Sequence, residues 1–256
     1  MGLLKFHKTK TGRKIAYVKT KGTAPGIVFF GGFMSDMSGT KALHLEAMCK
    51  EQGLSFLRFD YSGHGKSSGV FVDGCIGDWA NDAQDLLENV TDGPQILVGS
   101  SMGGWIALLL AKRNSEKIAG MVTIAAAPDF TEDGYWAGFN KATRQHLLEE
   151  GVVNIPSSYG NPYPITKRLI DDGRAHLVLR QPLDLPFPVR LLQGDLDKDV
   201  SIELANKLFA HIQCADVQLT LLKGADHSFS APNALSLIEA AITNVVSVVL
   251  EQNNNT

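Results

Sequence analysis

The pentad Gly99-Ser100-Ser101-Met102-Gly103 constrains this chain more than any other stretch. It reads G-x-S-x-G with Ser101 at its centre, between two segments of opposite habit. Gln95-Ile96-Leu97-Val98 is a short apolar run of the kind that forms a buried strand, and Trp105-Ile106-Ala107-Leu108-Leu109-Leu110-Ala111 is a good helix former. A strand that turns sharply into a helix at a serine is a nucleophile elbow. The turn forces the serine into a strained backbone conformation, so the residues packed beside it must be small, as Gly99, Gly103 and Gly104 are. Without these flanks the pattern would describe only an ordinary glycine- and serine-rich turn.

A serine hydroxyl is a poor nucleophile at neutral pH. It needs a base to take its proton, an acid to orient that base, and N–H donors for the oxyanion. When the serine sits on such an elbow, these partners follow in the order serine, acid, histidine.

The remaining pattern alternates strand and helix. Strands are expected over residues 3–7, 13–19, 27–30, 55–59, 95–98, 121–125, 189–192 and 217–222. Helices are expected over roughly 38–52 and 78–90, after Ser101, and at the C-terminal end. In the second helix, Trp79, Ala83, Leu86, Leu87 and Val90 share one face; in the last, Ile238, Ala241, Ile242, Val245, Val246 and Val249 do. This alternation implies an α/β fold, a mostly parallel sheet covered by helices on both faces, with reactive groups at the carboxyl ends of the strands. At 256 residues the chain suits one large core. Residues 128–188 break the rhythm, holding seven of the ten prolines. Sixty residues are too many for a plain loop. The expected organisation is therefore a core formed by 1–127 and 189–256 with a small helical cap inserted at 128–188. Trp136 and Phe139, together with Tyr135, are candidates for an apolar underside that binds substrate.

Net charge is −3, with no dense basic run, which gives no reason to expect nucleic acid. Cys49, Cys75 and Cys214 are odd in number and lack metal or redox spacing, so free thiols in a reducing, cytoplasmic compartment are expected. No leader is read at the N-terminus, and Phe6 stands where a myristoylation signal beginning at Gly2 requires serine or threonine. No continuous apolar run approaches the ~18 residues of a membrane span.

The acid is expected in Gly194-Asp195-Leu196-Asp197-Lys198-Asp199-Val200, just past a buried strand. Asp195, Asp197 and Asp199 match the first three acidic positions of a calcium loop, but Val200 and Asn206 stand where that loop needs glycine and glutamate. Local physics leaves Asp197 and Asp199 both open as the acid. The histidine is His227, in Gly224-Ala225-Asp226-His227-Ser228, which follows the last expected strand. His64, in Gly63-His64-Gly65, precedes Ser101 and breaks the order; His211 falls at a helix end. Oxyanion donors are expected from the N–H of Met102, after the nucleophile, and of Phe33, in the loop Gly31-Gly32-Phe33-Met34. The Phe33 ring is also expected to line the acyl pocket.

On these residues, with Asp60-Tyr61-Ser62-Gly63-His64-Gly65-Lys66-Ser67, the elbow at 99–104, Gly194-x-x-Asp197-x-x-Val200 and Gly224-Ala225-Asp226-His227, the chain resembles the α/β-hydrolase superfamily along nearly its whole length. The resemblance selects Asp197 over Asp199 as the acid. Gly39-Thr40-Lys41-Ala42-Leu43, Arg58-Phe59-Asp60-Tyr61-Ser62-Gly63 and Asp92-Gly93-Pro94-Gln95-Ile96-Leu97-Val98-Gly99-Ser100-Ser101 are similar to the mitochondrial α/β-hydrolase-domain group of acyl-glucuronide esterases and protein S-depalmitoylases. Serine at 101 excludes the aspartate nucleophile of dehalogenases and epoxide hydrolases and the cysteine of dienelactone hydrolases. The implied activity is hydrolysis of carboxylic esters or thioesters, on a small molecule or an acylated protein, through an acyl-enzyme on Ser101, with no metal and no cofactor. A serine peptidase or amidase, and a non-catalytic binding protein on the same fold, are the alternatives.

Overall fold

The computed structural model describes residues 2–113, 115–157, 160 and 162–254. Its centre is an eight-stranded sheet. In chain order the elements before the break in rhythm are β1 (Leu4–Lys8), β2 (Lys14–Thr20), β3 (Thr23–Phe30), α1 (Thr40–Glu51), β4 (Leu54–Phe59), α2 (Ile76–Asn89), β5 (Gln95–Ser100), α3 (Met102–Arg113) and β6 (Ile118–Ile124). Then come α4 (Lys141–Glu150), β7 (Val152–Ile155), β8 (Tyr163–Thr166), α5 (Lys167–Ala175) and β9 (Leu183–Asp184). The chain closes with β10 (Val189–Gly194), α6 (Ile202–His211), β11 (Ile212–Gln213), β12 (Val217–Leu222) and α7 (Pro232–Asn254).

The strand order is β1-β2-β4-β3-β5-β6-β10-β12. From β4 to β12 all neighbours run parallel, while β1 and β2 form an antiparallel hairpin that joins the sheet antiparallel through β4. A parallel sheet is stable only when both faces are covered, and the two sides of these strands divide accordingly. Ile27, Phe29, Ile96 and Val98 face α1 and α7, where Leu45, Ile238, Ile242 and Val245 pack on them. Val28, Phe30 and Leu97 face α2 and α3, packing with Trp79, Leu86, Trp105 and Ile106. Every residue of α3 from Met102 to Ala111 is buried, which explains why its sequence is apolar all round rather than striped. The α7 segment Pro232–Gln252 is long and apolar enough to cross a membrane by composition. Here the stripe of Ile238, Ala241, Ile242, Val245, Val246 and Val249 is spent against the sheet.

Residues 128–188 lie outside the main sheet. They contain a wide π-helical turn at Phe130–Trp136, then α4 and α5. Between the two helices runs an antiparallel hairpin, β7 with β8, that the sequence pattern did not foretell. With four residues each, β7 and β8 are too short for alternation to register. β9 pairs with β11, outside the segment. The two ends of the segment are tied together by Asp129, whose wholly buried carboxylate accepts the Val178 N–H at 2.7 Å and the Leu179 N–H at 3.0 Å. Trp105 of α3 donates its indole N–H to His176 O at 3.0 Å, pinning the segment to the core.

Candidate active site

The elbow is formed by β5, Ser101 and α3. Ser101 has φ +55°, the left-handed region that L side chains rarely adopt. The strain is held by short contacts that only glycine permits. A Cβ on Gly99 would sit 2.5 Å from Gly103 O, one on Gly103 2.1 Å from Phe30 O, and one on Gly104 2.6 Å from Ala126 Cβ. The Ser101 N–H donates to Ile124 O at 2.9 Å, fixing the turn to β6.

Three side chains predicted from sequence converge at the carboxyl edge of the sheet. Ser101 Oγ lies 3.0 Å from His227 Nε2, and His227 Nδ1 lies 2.8 Å from Asp197 Oδ2. Ser101 comes from the end of β5, Asp197 from the loop after β10, and His227 from the loop after β12. The Asp197 side chain is fully buried. Burial pushes its pKa up, but the His227 ring, the backbone N–H groups of Val200 (2.8 Å) and Asp199 (2.9 Å), and the nearby histidine charge outweigh that and hold it below the usual carboxylate range. Asp195 is not part of this group; it pairs with Lys223 at 2.6 Å. Asp199 lends its backbone N–H, while its carboxylate makes no bond to the histidine that holds Ser101. Asp197, Asp199 and His227 offer donor atoms within 4.8 Å of one another, enough to hold a cation. His227 Nδ1 and Asp197 Oδ2 are, however, bonded to each other, and Asp197 Oδ1 is taken by two N–H groups.

The loop after β3 lies against the serine: a Cβ on Gly32 would stand 3.4 Å from Ser101 Cβ. Phe33, on this loop, lines the same cavity as Ser101 and His227. Met102 is the first residue of α3, where an N–H has no partner within its own helix. Met102 as a whole is buried and is not among the residues that line the cavity, which it approaches only through its neighbour Ser101. Asp60, from the resemblance motif, works at a distance. Its buried carboxylate accepts the N–H groups of Met37 at 2.6 Å and Lys66 at 2.7 Å, bracing the loops on either side of the site.

The cavity above Ser101 measures about 580 Å³, within the range of small-molecule pockets. Its apolar wall is Phe33, Met34, Phe130, Tyr135 and Tyr163. The Phe33 ring meets Phe130 and Tyr163 edge-on at 5.6 and 5.5 Å. Phe130, Tyr135 and Tyr163 all belong to the 128–188 segment. The structure does not bring Trp136 or Phe139 to this cavity. The Trp136 ring is sandwiched between the guanidiniums of Arg144 at 5.1 Å and Arg174 at 4.6 Å. Phe139 stacks behind Tyr135 at 6.2 Å. In the π-helical turn, one residue of offset decides which ring faces inward, and no sequence period reports that offset.

Lys41 also lines the cavity, a residue the sequence reading passed over. It donates to Ser228 O, next to His227. Burial lowers its pKa to about 8, partly countered by Asp226. His64 is not in the cavity lining. It is buried among Tyr61, Phe71 and Trp79, and burial pulls its pKa down to about 4. His211 caps its own helix through Lys207 O.

The chain is similar to known proteins over most of its length. Residues 25–157 match the family described as serine aminopeptidase, S33. The palmitoyl-protein thioesterase ABHD10, mitochondrial, of Mus musculus is 35% identical over 234 residues, covering 91% of this chain and 78% of that protein. The solved structure of mouse α/β-hydrolase domain-containing protein 10 superposes with a TM-score of 0.90 at 33% identity, over 96% of this chain and 99% of that one. A protein of Agrobacterium vitis S4, described as a hydrolase, gives a TM-score of 0.90 at 37% identity, over 95% and 99% of the two chains. Matches of this extent and identity, on a fold built around the serine elbow, mean that the chain belongs to the α/β-hydrolase family and, within it, groups with the ABHD10 hydrolases.

Proposed function

We propose that this protein hydrolyses carboxylic thioesters and esters of apolar acyl groups, with Ser101 as nucleophile, His227 as base and Asp197 as the acid that orients it. The observation that carries the reading is the continuous chain Asp197–His227–Ser101 at 2.8 and 3.0 Å, opening onto an aromatic cavity of about 580 Å³. Ser101 attacks the acyl carbonyl as His227 takes its proton. The N–H groups of Phe33 and Met102 receive the oxyanion, and His227 protonates the departing thiol or alcohol. Water activated by the same histidine then frees the acid. Asp197, kept ionised by His227 and the backbone N–H groups of Val200 and Asp199, holds the Nδ1–H tautomer and steadies the imidazolium. The segment 128–188 acts as a cap whose Phe130, Tyr135 and Tyr163 hold the acyl chain. The relatives named palmitoyl-protein thioesterases support a long acyl chain carried on a protein thiol. The free thiols Cys49, Cys75 and Cys214 support a reducing compartment such as the cytoplasm.

The family description favours an aminopeptidase as the second reading. Such a site needs a carboxylate free to bind the substrate amine. The cavity carboxylates are Asp36, engaged by Ser38, and Asp199, which also has a partner, and the cations Lys41 and Lys198 line the same space. The test is fluorophosphonate labelling with a panel of p-nitrophenyl esters, a palmitoyl-cysteine thioester and aminoacyl anilides. Wild type should be labelled and turn over esters and thioesters far faster than anilides, and Ser101→Ala should lose labelling and at least about three orders of magnitude in rate. A preference for anilides would favour the peptidase; failure to label would favour a binding protein.

A further inference from the structure

We propose that Gln193 is a positioning residue for this chemistry: its side-chain amide fixes the Asp197 oxygen that holds His227, and with it the efficiency of proton transfer from Ser101. The inference rests on the reading of Ser101, His227 and Asp197 given above.

Gln193 is the penultimate residue of β10 and is 1% exposed. Its Nε2 lies 3.0 Å from Asp197 Oδ2, 2.9 Å from Val200 O and 3.2 Å from Gly194 O. All three neighbours are acceptors, so the amide can be oriented only one way; a flip would set Oε1 against three oxygens. Asp197 Oδ2 is the same atom that accepts from His227 Nδ1. The two carboxylate oxygens are thus held differently. Oδ1 takes backbone N–H groups of Asp199 and Val200, which the fold supplies whatever the side chains. Oδ2 takes one donor from the histidine and one from Gln193. The two amide hydrogens are shared among Oδ2 and the carbonyls of Gly194 and Val200, which bracket the acid-bearing loop. Gln193 therefore clamps the loop closed and aims the carboxylate in one contact. Because a hydrogen bond to the charged form favours that form, it also helps to keep a fully buried carboxylate ionised. Gln193 is absent from the cavity lining among the described residues, so it acts from behind the site, through Asp197 and the loop that ends at Val200. Its signature is an effect on kcat with KM left in place.

The experiment compares Gln193→Met and Gln193→Glu with wild type on one soluble p-nitrophenyl ester, from pH 5 to 9, with active sites counted by fluorophosphonate titration. Gln193→Met keeps the length and removes the donor. Its kcat should fall roughly 10- to 100-fold, the range expected when a reacting group is slightly misplaced, by the same factor at every pH, with KM little changed. Gln193→Glu is nearly isosteric. When protonated its O–H can still donate to Oδ2; when ionised it faces Asp197 as a second carboxylate, and the two titrate as a pair. The ratio of its kcat to that of wild type should therefore fall as pH rises. The other ionisable groups near this carboxylate are His227, Asp226, Lys198, Asp199, and Asp195 with its partner Lys223. They are common to all variants and cancel in the ratio. A wild-type kcat in Gln193→Met, or a Gln193→Glu ratio that is flat with pH, overturns the proposal. If Gln193→Met does not fold, the pH dependence in Gln193→Glu decides alone. Ser101→Ala and Asp197→Asn run in parallel: activity surviving in them refutes the underlying reading, whereas their loss with an unaffected Gln193→Met refutes the Gln193 inference only.

Discussion

Replacing Gly103 with alanine tests whether close packing of the elbow sets the oxyanion geometry. The added Cβ would stand 2.1 Å from Phe30 O and 2.7 Å from Gly31 O. Both are backbone atoms at the end of β3, where the strand passes into the loop that carries Phe33, so no side chain can swing aside. To reach even the 3.0 Å that real Cβ atoms respect, the start of α3 and the end of β3 must separate by about 0.9 Å. The separation falls between the two N–H groups assigned to the oxyanion, one at Met102 on α3 and one at Phe33 beyond β3. A misplacement of roughly 1 Å in a reacting constellation costs on the order of 100-fold in rate. Overpacking of this kind lowers stability by about 1–3 kcal/mol, which for a chain of this size is roughly 2–12 °C in Tm. Gly103→Ala should therefore fold, show a moderately lower Tm by calorimetry, and lose about two orders of magnitude in kcat/KM on a p-nitrophenyl ester. Gly138→Ala, where an added Cβ meets nothing within 4 Å, controls for the substitution itself and should change neither value. A kcat/KM for Gly103→Ala within about threefold of wild type would refute the reasoning, because the loop would then be free to move without cost to the oxyanion.

Two further predictions concern the cavity. Tyr135→Ala should flatten the rise of kcat/KM with acyl length across acetyl to dodecanoyl esters, by about fourfold for each methylene that loses its contact, from ~0.8 kcal/mol per buried CH₂. Trp136→Ala, which breaks the sandwich with Arg144 and Arg174, should lower Tm and leave that profile unchanged; the reverse result would return Trp136 to the pocket. Lys41 should titrate near pH 8, read by NMR of the ¹³C-methylated amine. Its ammonium is destabilised chiefly by burial and partly rescued by Asp226, so Asp226→Asn should move the midpoint lower still. Since an unfolded lysine titrates near pH 10.4, the folded state holds fewer protons between about pH 8 and that value. The contribution of Lys41 to stability should therefore improve as pH rises through this window. A midpoint near that of an exposed lysine would show that the site is wet.

Legibility in the sequence followed the range of the physics involved. The elbow was readable because its cause is local: strand, φ-positive serine and the small residues that permit it lie within ten positions. The strand segments of the main sheet and the position of His227 were readable because an alternating pattern implies a parallel sheet, and reactive groups at its carboxyl ends leave few places for a base; the order of the strands was not. Asp197 was harder. Asp195, Asp197 and Asp199 alternate within five residues, and local physics offers each the same loop. What separates them is tertiary: Lys223 takes Asp195, while two backbone N–H groups and His227 converge on Asp197. Gln193 carried no sequence signal, and Lys41 entered only within the run Gly39-Thr40-Lys41-Ala42-Leu43 with no role attached, since a glutamine in a strand and a lysine at a helix start are commonplace until the loops close on them.

In residues 128–188 one-dimensional reasoning stops. Proline content and length set this segment apart from the alternating pattern, and its aromatics suggested an apolar lining. Choosing which aromatics face inward required knowing the phase of the chain, and the π-helical turn at Phe130–Trp136 has no period that a 3.6-residue pattern would reveal. Phe130 and Tyr135 turn to the cavity, whereas Trp136, one residue on, turns to two arginines. The same turn begins at Asp129, which has φ +59° and a buried carboxylate that ties residue 129 to residues 178 and 179. This tie joins the start of the turn to a point about fifty residues on. The turn that carries Phe130 and Tyr135 is thus held at its start by a contact outside the cavity wall, and acyl preference should respond to changes at this tie as well as to changes in the wall.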